Sequence, residues 1–210
     1  MDRRIFLAAG TAATLAPSLG LAESHAAAEG AMAGGMAPDA VVALGAEDAP
    51  VTLVEYASFT CPHCKRFHEG VLPGIKADYV ETGQVRFEYR EVFFDRYGLW
   101  AAMIARCGGE ARYMPIADMI YARQSEWTQG EPAEVAENLM RIGVAAGLSR
   151  EEVEACLQDA EQAQGMVELW EARREEDGVS STPNLVIGGQ NMGALSEADL
   201  RAALDAALEG

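Results

Sequence analysis

The stretch VTLVEYASFTCPHCKRFHEGVL, residues 51–72, decides the fold of this chain. Its first part, Val51–Ala57, is mostly apolar and rich in β-prone residues, which predicts a buried strand. Cys61 and Cys64 follow with two residues between them, and apolar residues then recur at helical spacing to about residue 81. The pattern predicts a strand that leads into a helix, with a Cys-Pro-His-Cys sequence at the junction.

A cysteine pair at a strand-to-helix junction favours reversible disulfide chemistry. Cys61 lies at the predicted helix N-terminus, where unpaired N–H groups and the helix dipole stabilise a thiolate. The thiolate is the species that attacks and leaves in thiol-disulfide exchange. Pro62 suits the first turn of a helix, and a partial positive charge on His63 would favour the thiolate of Cys61. We therefore predict a redox-active disulfide between Cys61 and Cys64.

A Cys-x-x-Cys pair can also be half of a zinc site or a short structural disulfide. A zinc site needs a second pair of ligands at suitable spacing. The other cysteines, Cys107 and Cys156, are far in sequence from each other and from any histidine. Both alternatives are therefore disfavoured, and the sequence predicts neither a metal nor a cofactor.

Length and charge exclude several classes of partner. The chain has 210 residues, which favours one domain or one domain with an insertion. It carries 33 acidic and 16 basic residues and a net charge of −17. Nucleic acid and anionic lipid would repel such a chain, so neither is expected as a partner.

The first 22 residues have the composition of an export signal. Arg3 and Arg4 precede a small, apolar stretch, and Gly20-Leu21-Ala22 fits a cleavage site. The adjacent arginines fit a twin-arginine signal and an ordinary secretory signal about equally well. We therefore predict a signal peptide over residues 1–22, a flexible linker over residues 23–40 and a periplasmic location.

Export changes the expectation for the remaining cysteines, because disulfides persist in an oxidising compartment. If Cys61 pairs with Cys64, then Cys107 and Cys156 are left as partners for a structural disulfide. The alternative is a pair of buried free thiols, since both cysteines lie in segments with helical spacing.

The rest of the chain alternates between strand and helix patterns. Residues 85–92 alternate apolar and polar side chains, which predicts a second strand parallel to the first. Residues 184–187 predict a further strand, followed by a Gly-Gly hairpin and a final amphipathic helix capped by Ser196. The fold class is α/β, with one part over residues 41–96, a helical insertion over residues 97–177 and a second part over residues 178–210.

The chain resembles the thioredoxin superfamily and, within it, the DsbA-like thiol-disulfide oxidoreductases. The resemblance covers about residues 40–208. It rests on the strand before Cys-Pro-His-Cys, the helical insertion, the Thr182-Pro183 dipeptide before a strand and the Gly-Gly hairpin with its closing helix. It implies a thioredoxin fold with an inserted helical subdomain.

The resemblance also implies roles for individual residues. Cys61 would be the exposed sulfur that is attacked, and Cys64 the buried sulfur that resolves or re-forms the bond. Pro183 would be cis and lie beside the disulfide, and the Thr182 backbone would hydrogen-bond a bound peptide. In similar proteins an acidic residue at the place of Glu55 helps to move a proton for the buried cysteine.

The residues themselves leave two interpretations of Glu55 open. Alternation along the first strand places its carboxyl among apolar neighbours, where it needs a compensating interaction. The other interpretation is a partly solvated glutamate with no role. Glu88 and Arg90 on the next strand are candidate partners for it.

Three functions follow, in decreasing order of support. The first is an exported dithiol oxidase that acts on reduced substrate proteins or peptides and is recharged by a membrane-bound, quinone-linked partner of the DsbB type. The second is an isomerase or reductase of the same fold. The third is a copper metallochaperone that uses Cys61 and Cys64 as thiolate ligands. A monomer is expected, because residues 23–40 are too few to form a dimerisation domain.

Overall fold

The structure, a computed structural model, describes residues 35–210, so the predicted signal peptide lies outside the described residues. The described part contains a mixed sheet with the strand order β1-β3-β2-β4-β5. Strand β2 pairs in parallel with β3, and the other neighbouring strands are antiparallel. The strands are β1 (Val42–Leu44), β2 (Val51–Ala57), β3 (Val85–Glu91), β4 (Asn184–Ile187) and β5 (Gln190–Gly193).

A helical segment follows β2 directly and begins at the cysteine pair. It consists of α1 (Pro62–Arg66) and α2 (Leu72–Ile75), each followed by a wider π-helical turn, Phe67–Val71 and Lys76–Val80. Pro73 has no N–H with which to continue the α-helical pattern, and the N–H of Leu72 donates to the carbonyl of Phe67, five residues back.

Six helices lie between β3 and β4, and they form the helical insertion that the sequence predicts. Side chains cap the helix starts: Asp95 accepts from the N–H groups of Tyr97 and Gly98, and Ser149 forms a capping box with Glu152. The helices are α3 (Arg96–Cys107), α4 (Glu110–Ala122), α5 (Gln124–Trp127), α6 (Pro132–Ala145), α7 (Arg150–Gln158) and α8 (Ala160–Glu176). A closing helix, α9 (Glu197–Glu209), follows the hairpin.

The insertion and the sheet share one apolar core. Helix α3 contributes a run of small, fully buried side chains that includes Ala101, Ala102 and Ala105, so neighbouring elements can approach closely. A disulfide joins Cys107 at the end of α3 to Cys156 in α7, across 49 residues of chain. In the chain-entropy account, a bridge of this span stabilises the fold by about 4 kcal/mol. Among residues 35–210, no helix has both the length and the apolar character needed to cross a membrane.

Residues 36–40 differ from the prediction of a flexible linker up to residue 40. The N–H of Met36 donates to the carbonyl of Arg106 at 3.0 Å, and Arg106 Nη1 donates to the carbonyl of Ala37 at 2.6 Å. Gln162 Nε2 donates to the carbonyl of Met36 at 2.9 Å. These bonds hold the segment against the insertion, and composition alone does not report such long-range contacts.

Candidate active site

The two cysteines of the Cys-Pro-His-Cys sequence occupy different environments beyond the carboxyl end of β2. Cys61 is the N-cap of α1 and is half-buried, whereas Cys64 lies on the inner face of the helix and is fully buried. Both are free thiols, so the structure describes the dithiol state. A protein or peptide outside the chain therefore has access to Cys61 before Cys64.

The environments separate the pKa values of the two thiols. A hydrogen bond from Cys64 outweighs the effect of burial and, with hydrogen bonds from Thr182 and the main-chain N–H groups of Cys64 and His63, lowers the pKa of Cys61 to about 5. Burial, the hydrogen bond to Cys61 and the negative charge of Glu55 raise the pKa of Cys64 far above its usual range. Cys61 is therefore a stable thiolate, and Cys64 retains its proton.

The imidazole of His63 turns toward Arg66. Its Nδ1 lies 2.7 Å from Nη2 of Arg66, and since a guanidinium only donates, Nδ1 accepts this hydrogen bond. The ring is exposed, and it is the main-chain N–H of His63 that favours the thiolate. Pro62 is the first residue of α1, where its missing N–H costs nothing.

The loop before β4 lies against Cys61. Cys61 Sγ lies 3.5 Å from the carbonyl oxygen of Thr182, and the Thr182–Pro183 peptide bond is cis. Tyr56 near the end of β2 pairs with Asn184 at the start of β4, so this loop and the cysteines lie at the same end of the two strands.

Glu55 is fully buried, and its partner is neither Glu88 nor Arg90. The parallel register sets Glu55 opposite Tyr89, while Glu88 and Arg90 are opposite Val54 and Tyr56 on the other face of the sheet. Sequence alternation within one strand does not reveal which residues of the next strand share its face.

The partner of Glu55 is His68, which sequence reasoning missed. Nε2 of His68 lies 2.9 Å from Oε2 of Glu55, and the ring stacks on Tyr121 with centroids 4.3 Å apart. Burial lowers the pKa of His68, but the charge of Glu55 and the nearby carboxylate of Asp118 outweigh it and raise the pKa to about 9. The sequence signal for this contact was a histidine four residues after Cys64, on the apolar face of the predicted helix.

Two contacts from the insertion hold the cysteine loop, and sequence reasoning missed both. Gln124 Nε2 donates to the carbonyls of Phe59 at 2.7 Å and Cys61 at 3.0 Å. Lys65 Nζ donates to the carbonyl of Tyr121 at 2.8 Å. These contacts hold the cysteine loop and α1 against the insertion.

A family model described as thioredoxin matches residues 38–206. The chain belongs to the thioredoxin family.

Two relatives extend this result. The sequence is 29% identical over 167 residues, 79% of this chain, to a protein of Rickettsia bellii that is named as a candidate protein-disulfide oxidoreductase. It is 40% identical over 62 residues, 30% of this chain and 28% of the other, to disulfide bond formation protein D of Bacillus subtilis. The matched part spans 64% of the Rickettsia protein's length.

Solved structures share the fold of this chain. Wolbachia pipientis alpha-DsbA1 superposes with a TM-score of 0.74 at 24% identity, over 81% of this chain and 92% of that one. BdbD from Bacillus subtilis superposes with a TM-score of 0.73 at 20% identity, over 84% of this chain and 97% of that one. The predicted thioredoxin fold with an inserted helical subdomain is confirmed.

Among residues 35–210, no three or more His, Cys, Asp or Glu side chains cluster as they would around a metal ion.

The pH dependence of alkylation tests the state of Cys61. Because the pKa of Cys61 is lowered to about 5, its reaction with iodoacetamide should be independent of pH above roughly pH 6 and slow about tenfold per unit below pH 5. Mass spectrometry of the reduced protein gives the rate at each pH. The Cys61→Ser variant, which retains buried Cys64, is the control and should remain unlabelled. A midpoint near the ordinary value of about 8.5 would contradict the proposed thiolate.

Proposed function

We propose that the protein is an exported thiol:disulfide oxidoreductase that oxidises cysteine pairs of substrate proteins. The observation that carries this proposal is the separation of the two thiol pKa values, with Cys61 at about 5 and Cys64 buried and protonated. A thiolate that is stable in the reduced form makes reduction of the disulfide favourable, and so makes the disulfide an oxidant. The names of the relatives from Rickettsia and Bacillus support the same class of reaction.

The reaction takes place in two exchanges. A substrate thiolate attacks Cys61 Sγ, the Cys61–Cys64 bond breaks, and the electron pair leaves on Cys64, which takes up a proton. A second substrate thiolate then attacks the substrate sulfur of the mixed disulfide and expels Cys61 as a thiolate. The substrate loses two electrons and gains a disulfide, and the protein gains two thiols. The low pKa of Cys61 favours the second step, because a thiolate of low pKa leaves faster.

The geometry around Thr182 supports a peptide as the substrate. Its carbonyl lies beside Cys61 at the start of β4, where an extended segment around the substrate cysteine would find a main-chain acceptor next to the reacting sulfur. We propose reduced proteins or peptides as substrates and a membrane-bound, quinone-linked protein of the DsbB type as the partner that restores the disulfide.

Export to the periplasm is supported by two features. Residues 1–22 have the composition of a signal peptide, by either the Sec or the twin-arginine route. The Cys107–Cys156 disulfide suits an oxidising compartment. A monomer is the proposed oligomeric state.

The reduction potential of the Cys61–Cys64 pair tests the direction of the reaction. Equilibration with glutathione followed by thiol trapping should give a potential above about −200 mV, on the oxidising side of glutathione. The Cys61→Ser variant is the control, since it should show no titrating pair. A potential near about −270 mV would overturn the oxidase and favour the reductase or isomerase.

A further inference from the structure

A glutamine from the helical insertion bonds to the main chain of the reactive cysteine. Gln124 is 6% exposed, and its Nε2 donates to the carbonyls of Phe59 at 2.7 Å and Cys61 at 3.0 Å. Both partners are carbonyl oxygens, which only accept hydrogen bonds, so the side-chain amide must present its nitrogen to them. The exchange steps described above do not use this contact.

Gln124 approaches the cysteine loop from a firmly packed helix. It is the first residue of α5, and Trp127 of the same helix is 1% exposed and donates from Nε1 to the carbonyl of Ile120 at 2.8 Å. Oγ1 of Thr128 donates to the carbonyl of Gln124 at 2.7 Å. These contacts fix α5 within the insertion and so fix the place from which the amide donates.

The two carbonyls belong to the turn that joins β2 to α1. The N–H of Cys61 donates to the carbonyl of Ser58 at 3.0 Å, which closes this turn. The ring of Phe59 is buried and packs on Tyr121 with centroids 5.0 Å apart. The core therefore fixes the side chain of Phe59, and Gln124 fixes the main chain of the turn.

The bond to the Cys61 carbonyl bears on the direction in which the sulfur points. Cys61 is extended, with ψ at 120°, and Pro62 after it restricts it to this region. Within that region its carbonyl accepts from the N–H of Lys65 at 3.2 Å, the first bond of α1, and from Gln124. Because ψ sets the direction of the carbonyl, two donors on that oxygen hold the backbone from which the side chain projects.

The Cys61 sulfur faces three kinds of group. These are the thiol of Cys64, the carbonyl of Thr182 and the main-chain N–H groups at the start of α1. The N–H groups and the thiol favour the thiolate only while the sulfur stays within hydrogen-bond reach of them. The position of the turn therefore matters to the chemistry of the site.

We propose that Gln124 is a positioning residue for thiol-disulfide exchange, which holds the Cys61 sulfur against the donors at the start of α1. This inference rests on the proposed exchange at Cys61. Gln124 acts through the main chain of Cys61. Without its amide the turn is free to move, the thiolate loses part of its stabilisation, and the disulfide becomes a weaker oxidant.

The Gln124→Met variant tests the proposal, because methionine has a similar length and helix propensity but no donor. The pH midpoint of Cys61 alkylation by iodoacetamide should rise by about one unit. The equilibrium constant for reduction by glutathione at pH 7 should fall by about tenfold, because one pKa unit is a tenfold loss of thiolate stabilisation. A role in stability alone would move neither quantity in the folded protein.

The matched control is Gln162→Met. Gln162 is 8% exposed, and its Nε2 donates to the carbonyl of Met36 at 2.9 Å, so the variant loses the same kind of bond between α8 and the segment 36–40. Both quantities should keep their wild-type values in it. A second variant, Gln124→Ala, removes the amide without placing an apolar group against the two carbonyls, and should shift both quantities in the same direction as Gln124→Met. Circular dichroism checks that all three variants fold.

Each outcome has one interpretation. Wild-type midpoints and equilibrium constants in a folded Gln124 variant would overturn the positioning role and leave the proposed function intact. Loss of folding in both Gln124 variants would also overturn it and assign the residue to stability alone. Equal shifts in Gln162→Met would do the same, since they would show a general effect of losing a buried amide. No disulfide exchange in the wild type would overturn the proposed function itself.

Discussion

Replacing Cys61 with serine is expected to abolish oxidation of a reduced dithiol peptide, leaving only the uncatalysed rate. The hydroxyl cannot form the disulfide that accepts the substrate's electrons, and Cys64 is fully buried, so a substrate thiolate cannot reach it instead. The measurement is disulfide formation in the peptide, followed by chromatography under single-turnover conditions with the oxidised protein.

Two controls separate the roles of the cysteines in this experiment. The Cys64→Ser variant should also fail to oxidise the peptide, because Cys61 alone cannot form the internal disulfide that accepts the electrons; unlike Cys61→Ser, it should still be labelled by iodoacetamide at Cys61. The double variant Cys107→Ser/Cys156→Ser should still oxidise the peptide, since this bridge lies in the insertion between α3 and α7. Peptide oxidation by Cys61→Ser at the wild-type rate would contradict the mechanism.

Replacing Arg106 with alanine is expected to lower the free energy of unfolding by about 3–5 kcal/mol, the cost of leaving a buried charge without its partner. The Arg106 side chain is 2% exposed, and its Nε and Nη2 donate to the carboxylate of Glu91 at 2.7 and 2.9 Å. The variant also loses the bonds to the carbonyls of Ala37 and Ala40 that hold residues 36–40. Urea unfolding followed by circular dichroism gives the difference.

The control for this prediction is Arg150→Ala. Arg150 pairs with Glu137 and Glu154 on the surface, where solvent screens ion pairs, so its unfolding midpoint should hardly move. Equal losses in the two variants would mean that burial does not determine the importance of these ion pairs.

Much of the fold could be predicted because its signals are local. The period-two pattern of β3, the helical spacing of the insertion and the capping residues Ser149 and Ser196 each report on neighbours within a few residues. The cysteine pair is also local, because both sulfurs lie on consecutive turns of one helix start. These elements were predicted at nearly the positions where the structure has them.

The partners of buried polar groups could not be predicted in the same way. Glu55 was expected among apolar neighbours, but its contact with His68 depends on how the helix after β2 packs on the sheet. The bonds from Gln124 to the cysteine loop join residues more than 60 positions apart. The composition of either segment alone does not indicate which distant segment it contacts.

The sequence by itself determined the order of strands and helices, the reactive pair Cys61 and Cys64, and the family to which the chain belongs. Only the tertiary structure decided which face of the sheet Glu55 occupies, that His63 turns its ring to Arg66, and that His68 pairs with Glu55. The physical reason is the separation along the chain of the residues that interact. Periodicity and capping act between residues close in the chain, whereas burial, strand register and charge pairing depend on segments that meet only when the whole core is packed.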